Sequence, residues 1–307
     1  MQLVLGRGYN NSTVEKGDLQ CHQACITCQN SDLAQGQSSK KEGSLVSKQR
    51  IIIENRFGEK LVSILYETGS NDLVILCHGF RSSKESKTLV NLAAALTKER
   101  ISVVCFDFSG NGESEGSFQY GNYRKEVDDL HAIIRYYFGL KRTISAIVGH
   151  SKGGDVVLLY ASMYHDIHTI VNISGRFYLD RGIEARLGEG FLERIRNDMF
   201  IDVKDKSGQV QYRVTEESLM DRLSTDMHQA CLLINKDCRI LTVHGSADEI
   251  VPAEDALEFA KLIPNHKLKI IEGADHLFRS HHVELALTLV DFVISNDTGH
   301  STVHGDI

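Results

Sequence analysis

The chain has 307 residues, 42% hydrophobic and 24% charged, the proportions of a globular protein that buries a core. Its formal net charge of -7 speaks against a nucleic-acid binder, which carries a basic field. No apolar run approaches the roughly 20 residues that span a bilayer, and the opening MQLVLGRGYNN lacks the longer apolar core of a signal peptide.

Residues 1–48 are rich in Gln, Ser, Asn, Gly and Lys without a sustained apolar period, and read as a disordered leader. A cytoplasmic chain is expected, with organelle targeting by this leader left open. The Asn-x-Ser/Thr matches at Asn10, Asn11, Asn172 and Asn296 then carry no weight for glycosylation. Of seven cysteines, Cys77 and Cys105 sit in apolar strand-like runs and read as buried free thiols.

From Ile51, IIIENRFGEKLVSILYE predicts two strands joined by a turn at Asn55 to Glu59. DLVILCHGF from Asp72 is a buried strand ending in a loop, and Leu and Ala then recur at helical spacing over 84–99. ISVVCFDFSG from Ile101 is a strand, 121–138 a helix, ISAIVGHS from Ile144 a strand followed by a helix to about Tyr164, and TIVNISG from Thr169 a strand. Residues 176–230 break the alternation. They are polar and helix-prone, with no convincing buried strand, and predict amphipathic helices in RGIEARLGEGFLERIRNDM and ESLMDRLSTDMHQACL. Order resumes with RILTVHGSAD as strand and loop, a helix over 253–263, KLKIIEGADH as strand and loop, and a helix over 281–295; the tail 297–307 is polar.

Apolar runs alternating with helices predict an α/β fold, a mostly parallel sheet with helices on both faces. Residues 49–296 form this domain, with 176–230 as a small helical cap inserted between two core strands, on the side where such sheets bind ligands.

Gly149-His150-Ser151-Lys152-Gly153 has the form G-x-S-x-G, between a strand and an apolar helix. That context exposes a serine hydroxyl on a sharp turn, and side chains at Gly149 and Gly153 would collide across it. The alternative is a serine that only caps the helix. A serine hydroxyl needs a base. Of fourteen histidines, His276 lies at the carboxyl edge of the last strand-loop unit, whereas His281 and His282 fall at the next helix and His150 is expected to point elsewhere. Asp248, after ILTVHG, is the orienting carboxylate and completes the chain order Ser, Asp, His; Glu249 and Asp275 are the poorer choices. The backbone N–H groups of Phe80 and Lys152 are the candidate oxyanion donors, with His78 as a loop-fixing hydrogen bonder. Arg81 could meet a polar substrate group or be merely solvated. In the resulting scheme Ser151 attacks an ester carbonyl, His276 relays the proton to the leaving alcohol, and water releases the acid; no cofactor or metal is needed.

Two other signals are discounted. Gly110-Asn111-Gly112-Glu113-Ser114-Glu115-Gly116 follows a strand, but its G-x-G-x-x-x-G spacing and the SFQYG behind it do not suit a dinucleotide. Cys21, His22, Cys25 and Cys28 could ligate zinc or an iron–sulfur cluster but lie in the leader, and incidental cysteines are preferred.

His78-Gly79-Phe80, Asp107-Phe108-Ser109-Gly110-Asn111-Gly112-Glu113-Ser114, Gly149 to Gly154, Gly245-Ser246-Ala247-Asp248 with Val251-Pro252, and Gly273-Ala274-Asp275-His276 together resemble α/β-hydrolases. The resemblance is to the serine aminopeptidase-like (S33-type) or monoglyceride-lipase-like group, especially its small feruloyl and cinnamoyl esterases and its plant members. It covers roughly residues 50–296. It implies the α/β-hydrolase fold, Ser151, Asp248 and His276 as triad, the Phe80 and Lys152 amides as oxyanion hole, a cap over 176–230 and a structural turn at Asp107 to Ser114. Lys152 stands where the group often has Met or Gln. The expected partner is a small-molecule ester, with no nucleic acid and no integral membrane segment; oligomeric state is left open. A monoacylglycerol lipase, thioesterase or serine peptidase on the same triad, or a non-catalytic ligand receptor, are the alternatives. A deep apolar tunnel would favour long acyl groups, and an acidic pocket would favour an N-terminal peptidase.

Overall fold

The computed structural model describes residues 46–295, so most of the leader with its Cys21, His22, Cys25 and Cys28, the tail 297–307, and the Asn10, Asn11 and Asn296 sequons lie outside the described residues. Strand β1 (Ser47–Glu54) is followed by β2 (Lys60–Glu67), β3 (Asp72–Cys77), α1 (Lys87–Lys98), β4 (Ser102–Phe106), α2 (Tyr123–Gly139), β5 (Thr143–His150), α3 (Lys152–Tyr164) and β6 (Thr169–Ile173). After the insertion come β9 (Arg239–Gly245), α8 (Glu254–Leu262), β10 (His266–Ile271) and α9 (His282–Ile294). These strands make one eight-stranded sheet in the order β1-β2-β4-β3-β5-β6-β9-β10. β1 and β2 pair antiparallel, as do β2 and β4, and the remaining pairs are parallel. This is the α/β-hydrolase fold.

The central strands read as continuous apolar runs because both of their faces are covered. In β3, Leu73, Ile75 and Cys77 face α2, α3 and α8, while Val74 and Leu76 face α1 and α9. Cys77 and Cys105 are fully buried free thiols, and burial raises both thiol pKa values well above the ordinary range. β1 begins at Ser47, ahead of Ile51; its first four residues are exposed on the sheet edge, so no apolar alternation marks them.

The insertion corrects one expectation. It holds α4 (Glu184–Leu187) and α5 (Phe191–Asp198), but then an antiparallel hairpin of β7 (Phe200–Lys204) and β8 (Val210–Thr215), before α6 (Glu216–Ser224) and α7 (Met227–Leu233). The cap is therefore helices plus a hairpin. Only Val214 of the two strands is buried, which removed the period-2 pattern. The turn was nonetheless written in Asp205-Lys206-Ser207-Gly208: the Asp205 carboxylate accepts from the Ser207 and Gln209 N–H groups, at 2.8 and 3.0 Å. α7 packs into the main core through Met227 and Cys231, so the cap proper ends before it.

The chain runs outward from β3 to β4 in one direction and places β5 on the other side of β3. The loops after β3 and β5 thus meet at the switch point of the sheet, where a crevice opens. Among the described residues no helix is long and apolar enough to cross a membrane.

Candidate active site

The β5–α3 turn places Ser151 at φ 56° and ψ -123°, a backbone region that non-glycine residues rarely occupy. The turn is held by Ser151 N–H donating to Ile173 O at 2.7 Å and Gly154 N–H to Ser151 O at 2.7 Å. A Cβ at Gly149 would lie 1.9 Å from Gly153 O, and one at Gly153 would lie 2.6 Å from Cys77 O. The glycines therefore let the turn fold this tightly against β3.

His276, on the loop after β10, has Nε2 2.9 Å from Ser151 Oγ and Nδ1 2.7 Å from Asp248 Oδ2. Asp248, on the loop after β9, has its side chain fully buried, and its Oδ1 accepts from the Ile250 and Val251 N–H groups at 2.8 and 2.9 Å. Burial pushes the Asp248 carboxyl up, but hydrogen bonds from His244, His276 and Val251 outweigh it and hold the carboxyl well below its ordinary range. The three predicted side chains are thus brought into one hydrogen-bonded chain.

The loop after β3 lies against the same serine. A Cβ on Gly79 would stand 2.9 Å from Ser151 Cβ, so only glycine permits this approach. His78 is the expected loop fixer: Nδ1 faces Gly79 O at 2.8 Å and Nε2 accepts from Phe108 N–H at 3.1 Å. Burial lowers the His78 pKa to about 4, consistent with a neutral ring that donates from one nitrogen and accepts at the other. Among the described residues, neither the Phe80 nor the Lys152 backbone N–H donates within the chain.

The predicted turn at Asp107 to Ser114 is structural. The Asp107 carboxylate is buried, accepting from Lys84 N–H at 2.7 Å, Lys84 Nζ at 2.6 Å and Glu113 N–H at 3.0 Å. Arg81 stacks on Tyr212, with Cζ 4.7 Å from the ring centroid, and its Nη2 reaches Gln211 O. Asp275 accepts from Arg279 N–H and Glu249 is exposed, so neither competes with Asp248.

Three features escaped the sequence reading. His150 Nε2 donates to His276 O at 2.9 Å, and its ring centroid is 5.2 Å from that of His276. His244, four residues before Asp248, has Nε2 3.3 Å from Asp248 Oδ2. The Lys152 side chain turns inward onto Glu126 and Gly121 O. The HG and GH steps hinted that histidines crowd this edge of the sheet; nothing local pointed to Glu126.

Two cavities meet at Phe80 and Ser151. One, of about 510 Å³, includes His276, His150 and Leu277 in its wall; the other, of about 60 Å³, lies toward the cap and includes Lys152, Arg176 and Arg222. Phe80 ties core to cap by edge contacts with Tyr120 and with Tyr212 of β8, at centroid distances of 5.7 and 5.6 Å. Among the described residues no three His, Cys, Asp or Glu side chains gather as a metal-binding group.

The family described as serine aminopeptidase, S33, matches residues 69–280. A Saccharomyces cerevisiae protein of uncharacterized function is 25% identical over 229 residues, 67% of this chain and 68% of its own length. Lipase 1 of Psychrobacter immobilis is 24% identical over 247 residues, 72% of this chain and 76% of that enzyme. The structure of Est1E from Butyrivibrio proteoclasticus with bound ferulic acid superposes with a TM-score of 0.69 at 25% identity, over 79% of this chain and 97% of that one.

Proposed function

As a member of the serine aminopeptidase S33 family, to which this chain belongs, it is a serine hydrolase of the esterase–lipase kind, and we propose that it cleaves carboxylic esters of small or moderately apolar substrates with Ser151 as nucleophile. His276 acts as general base and then general acid, and Asp248 orients it. The observation that carries this reading is the hydrogen-bonded run from Ser151 Oγ through His276 to Asp248, at 2.9 and 2.7 Å, beneath a serine held at φ 56°.

Each step follows from a named atom. His276 Nε2 takes the Ser151 proton as Oγ attacks the ester carbonyl, and the positive ring is stabilised by the ionised Asp248 beside Nδ1. The oxyanion is received by the Phe80 and Lys152 amides. His78 and the Ser82 N–H both hold Gly79 O, so the trans Gly79–Phe80 peptide turns its N–H to the opposite side. Collapse passes the proton from His276 to the leaving alcohol. Water, deprotonated by the same ring, then cleaves the acyl-enzyme.

An ester substrate is favoured over an N-terminal peptide by charge. A free amine calls for an excess of carboxylates facing it, whereas the pocket between Ser151 and the cap sets Arg176, Arg181, Arg186 and Arg222 against the single carboxylate of Asp155. The narrower reading as a feruloyl or cinnamoyl esterase draws on the aromatic residues Phe80, Tyr120 and Tyr123 at this pocket and on the likeness to Est1E.

A fluorophosphonate probe tests the nucleophile. Labelling of the wild type and its loss in Ser151→Ala are expected; labelling that survives the substitution, or none in the wild type, overturns the assignment. A panel of nitrophenyl esters of rising chain length, with a feruloyl ester added, reads the acyl preference.

A further inference from the structure

The four arginines at the cap pocket are spent on neutral partners. Arg222 Nε donates to Leu179 O at 2.8 Å and Nη1 to Tyr123 Oη at 3.2 Å. Arg176 Nη2 donates to Ile250 O. Arg181 Cζ lies 3.5 Å from the Tyr178 ring centroid, and Arg186 Cζ lies 4.7 Å from that of Phe80. Among the described residues no carboxylate is within ion-pair distance of any of the four. Asp155 is the one carboxylate lining this pocket among the described residues, and its Oδ1 accepts the Arg176 main-chain N–H at 2.7 Å; Asp255 Oδ2 accepts those of Phe177 and Tyr178. Burial drives the Asp155 carboxyl up in pKa, and even charged it is one carboxylate against four guanidinium groups. Four guanidinium groups gathered around a single carboxylate form a site with charge left for a further anion, and their planar forks suit a carboxylate.

The position of His276 decides which half of the substrate lies there. The leaving alcohol must reach His276 Nε2 to be protonated, and His276 lines the cavity of about 510 Å³ but not the pocket of about 60 Å³. The acyl half therefore occupies the arginine pocket.

We propose that the acyl group ends in a carboxylate, so that the substrate is a half-ester of a short dicarboxylic acid. This rests on the serine-hydrolase reading above and narrows it. Ser151 Oγ bonds to the ester carbonyl carbon, the carbon–alkoxy bond breaks, and the alkoxide takes its proton from His276. Water then breaks the acyl–Oγ bond, giving the dicarboxylate and returning a proton to Ser151.

The test compares monoethyl glutarate with ethyl 4-carbamoylbutanoate, which replaces the carboxylate by an amide of the same shape. The expected wild-type kcat/KM favours the acid by about tenfold or more, the scale of one charged hydrogen bond. Arg181→Gln and Arg186→Gln, both at exposed cap positions, should each shrink that ratio several-fold. A ratio near one, a ratio that neither substitution changes, or hydrolysis of neither ester by protein whose Ser151 still labels with fluorophosphonate would overturn the acidic acyl group and leave the serine hydrolase standing. Absence of labelling would instead remove the hydrolase reading on which it depends.

Discussion

Lys152 Nζ lies 2.6 Å from Glu126 Oε1, and both side chains are 5% exposed. The residue after the candidate nucleophile is thus tied through its side chain to helix α2. Nζ also meets Gly121 O and sits 4.8 Å from the Tyr123 ring centroid, while Glu126 Oε2 has no hydrogen-bond partner among the described residues. Burial raises the Glu126 pKa to about 7 against the pull of Lys152.

The two partners should therefore differ when removed singly. Glu126 can relieve its burial by taking a proton near neutral pH, whereas Lys152 without Glu126 is a buried cation left without its carboxylate. Glu126→Leu is expected to cost about 3–5 kcal/mol and Lys152→Met about 1–2 kcal/mol, with the double variant recovering most of the loss. Urea unfolding at pH 7 measures this, and equal single costs would contradict it.

Asp248→Asn should lower kcat by about 10³ to 10⁴ with little change in fold. The asparagine amide can turn its N–H₂ toward His276 Nδ1 and favour the ring tautomer that leaves Nε2 protonated. Steady-state rates on one nitrophenyl ester decide this; a loss below tenfold would show that the orientation of His276 does not depend on Asp248.

His150 holds the main chain of His276 through its Nε2–H, and burial lowers its pKa to about 4, so the ring stays neutral over the working range. His150→Leu is expected to lower kcat about tenfold with a smaller change in KM, and His150→Gln to restore part of it. Equal losses in both variants would assign the effect to packing.

His266 supplies a pH test away from the site. Its Nε2 is 2.8 Å from Thr242 Oγ1, and burial lowers its pKa from 6.5 to about 4. The unfolded chain takes up this proton first as pH falls, so His266 contributes stability above pH 6.5 that is lost on the way down to about 4. Relative to His266→Gln, the wild type should lose about 1.4 kcal/mol per pH unit across that window. Parallel stability curves for the two proteins would refute the shift.

Much of this protein is legible along the chain. The buried strands announce themselves because the sheet is covered on both faces, and each loop that reaches the site begins at a glycine-bearing step directly after a strand. Ser151, Asp248 and His276 can be nominated from those positions alone, because strand order and loop position are local facts. The hairpin at 200–215 was not legible, since exposed strands need no apolar alternation. Nor were the contacts that surround the serine. Glu126 meets Lys152 across 26 residues, and His150 meets His276 across 126. Arg176, Arg181, Arg186 and Arg222 read singly as a solvated polar stretch; only the folding of the insertion over the sheet turns them toward one pocket. Local sequence determines periodicity and turns, because those depend on neighbouring dihedrals and on which face is buried. The charge of the pocket and the support of the loop that carries His276 arise from packing between distant segments, which tertiary structure alone decides.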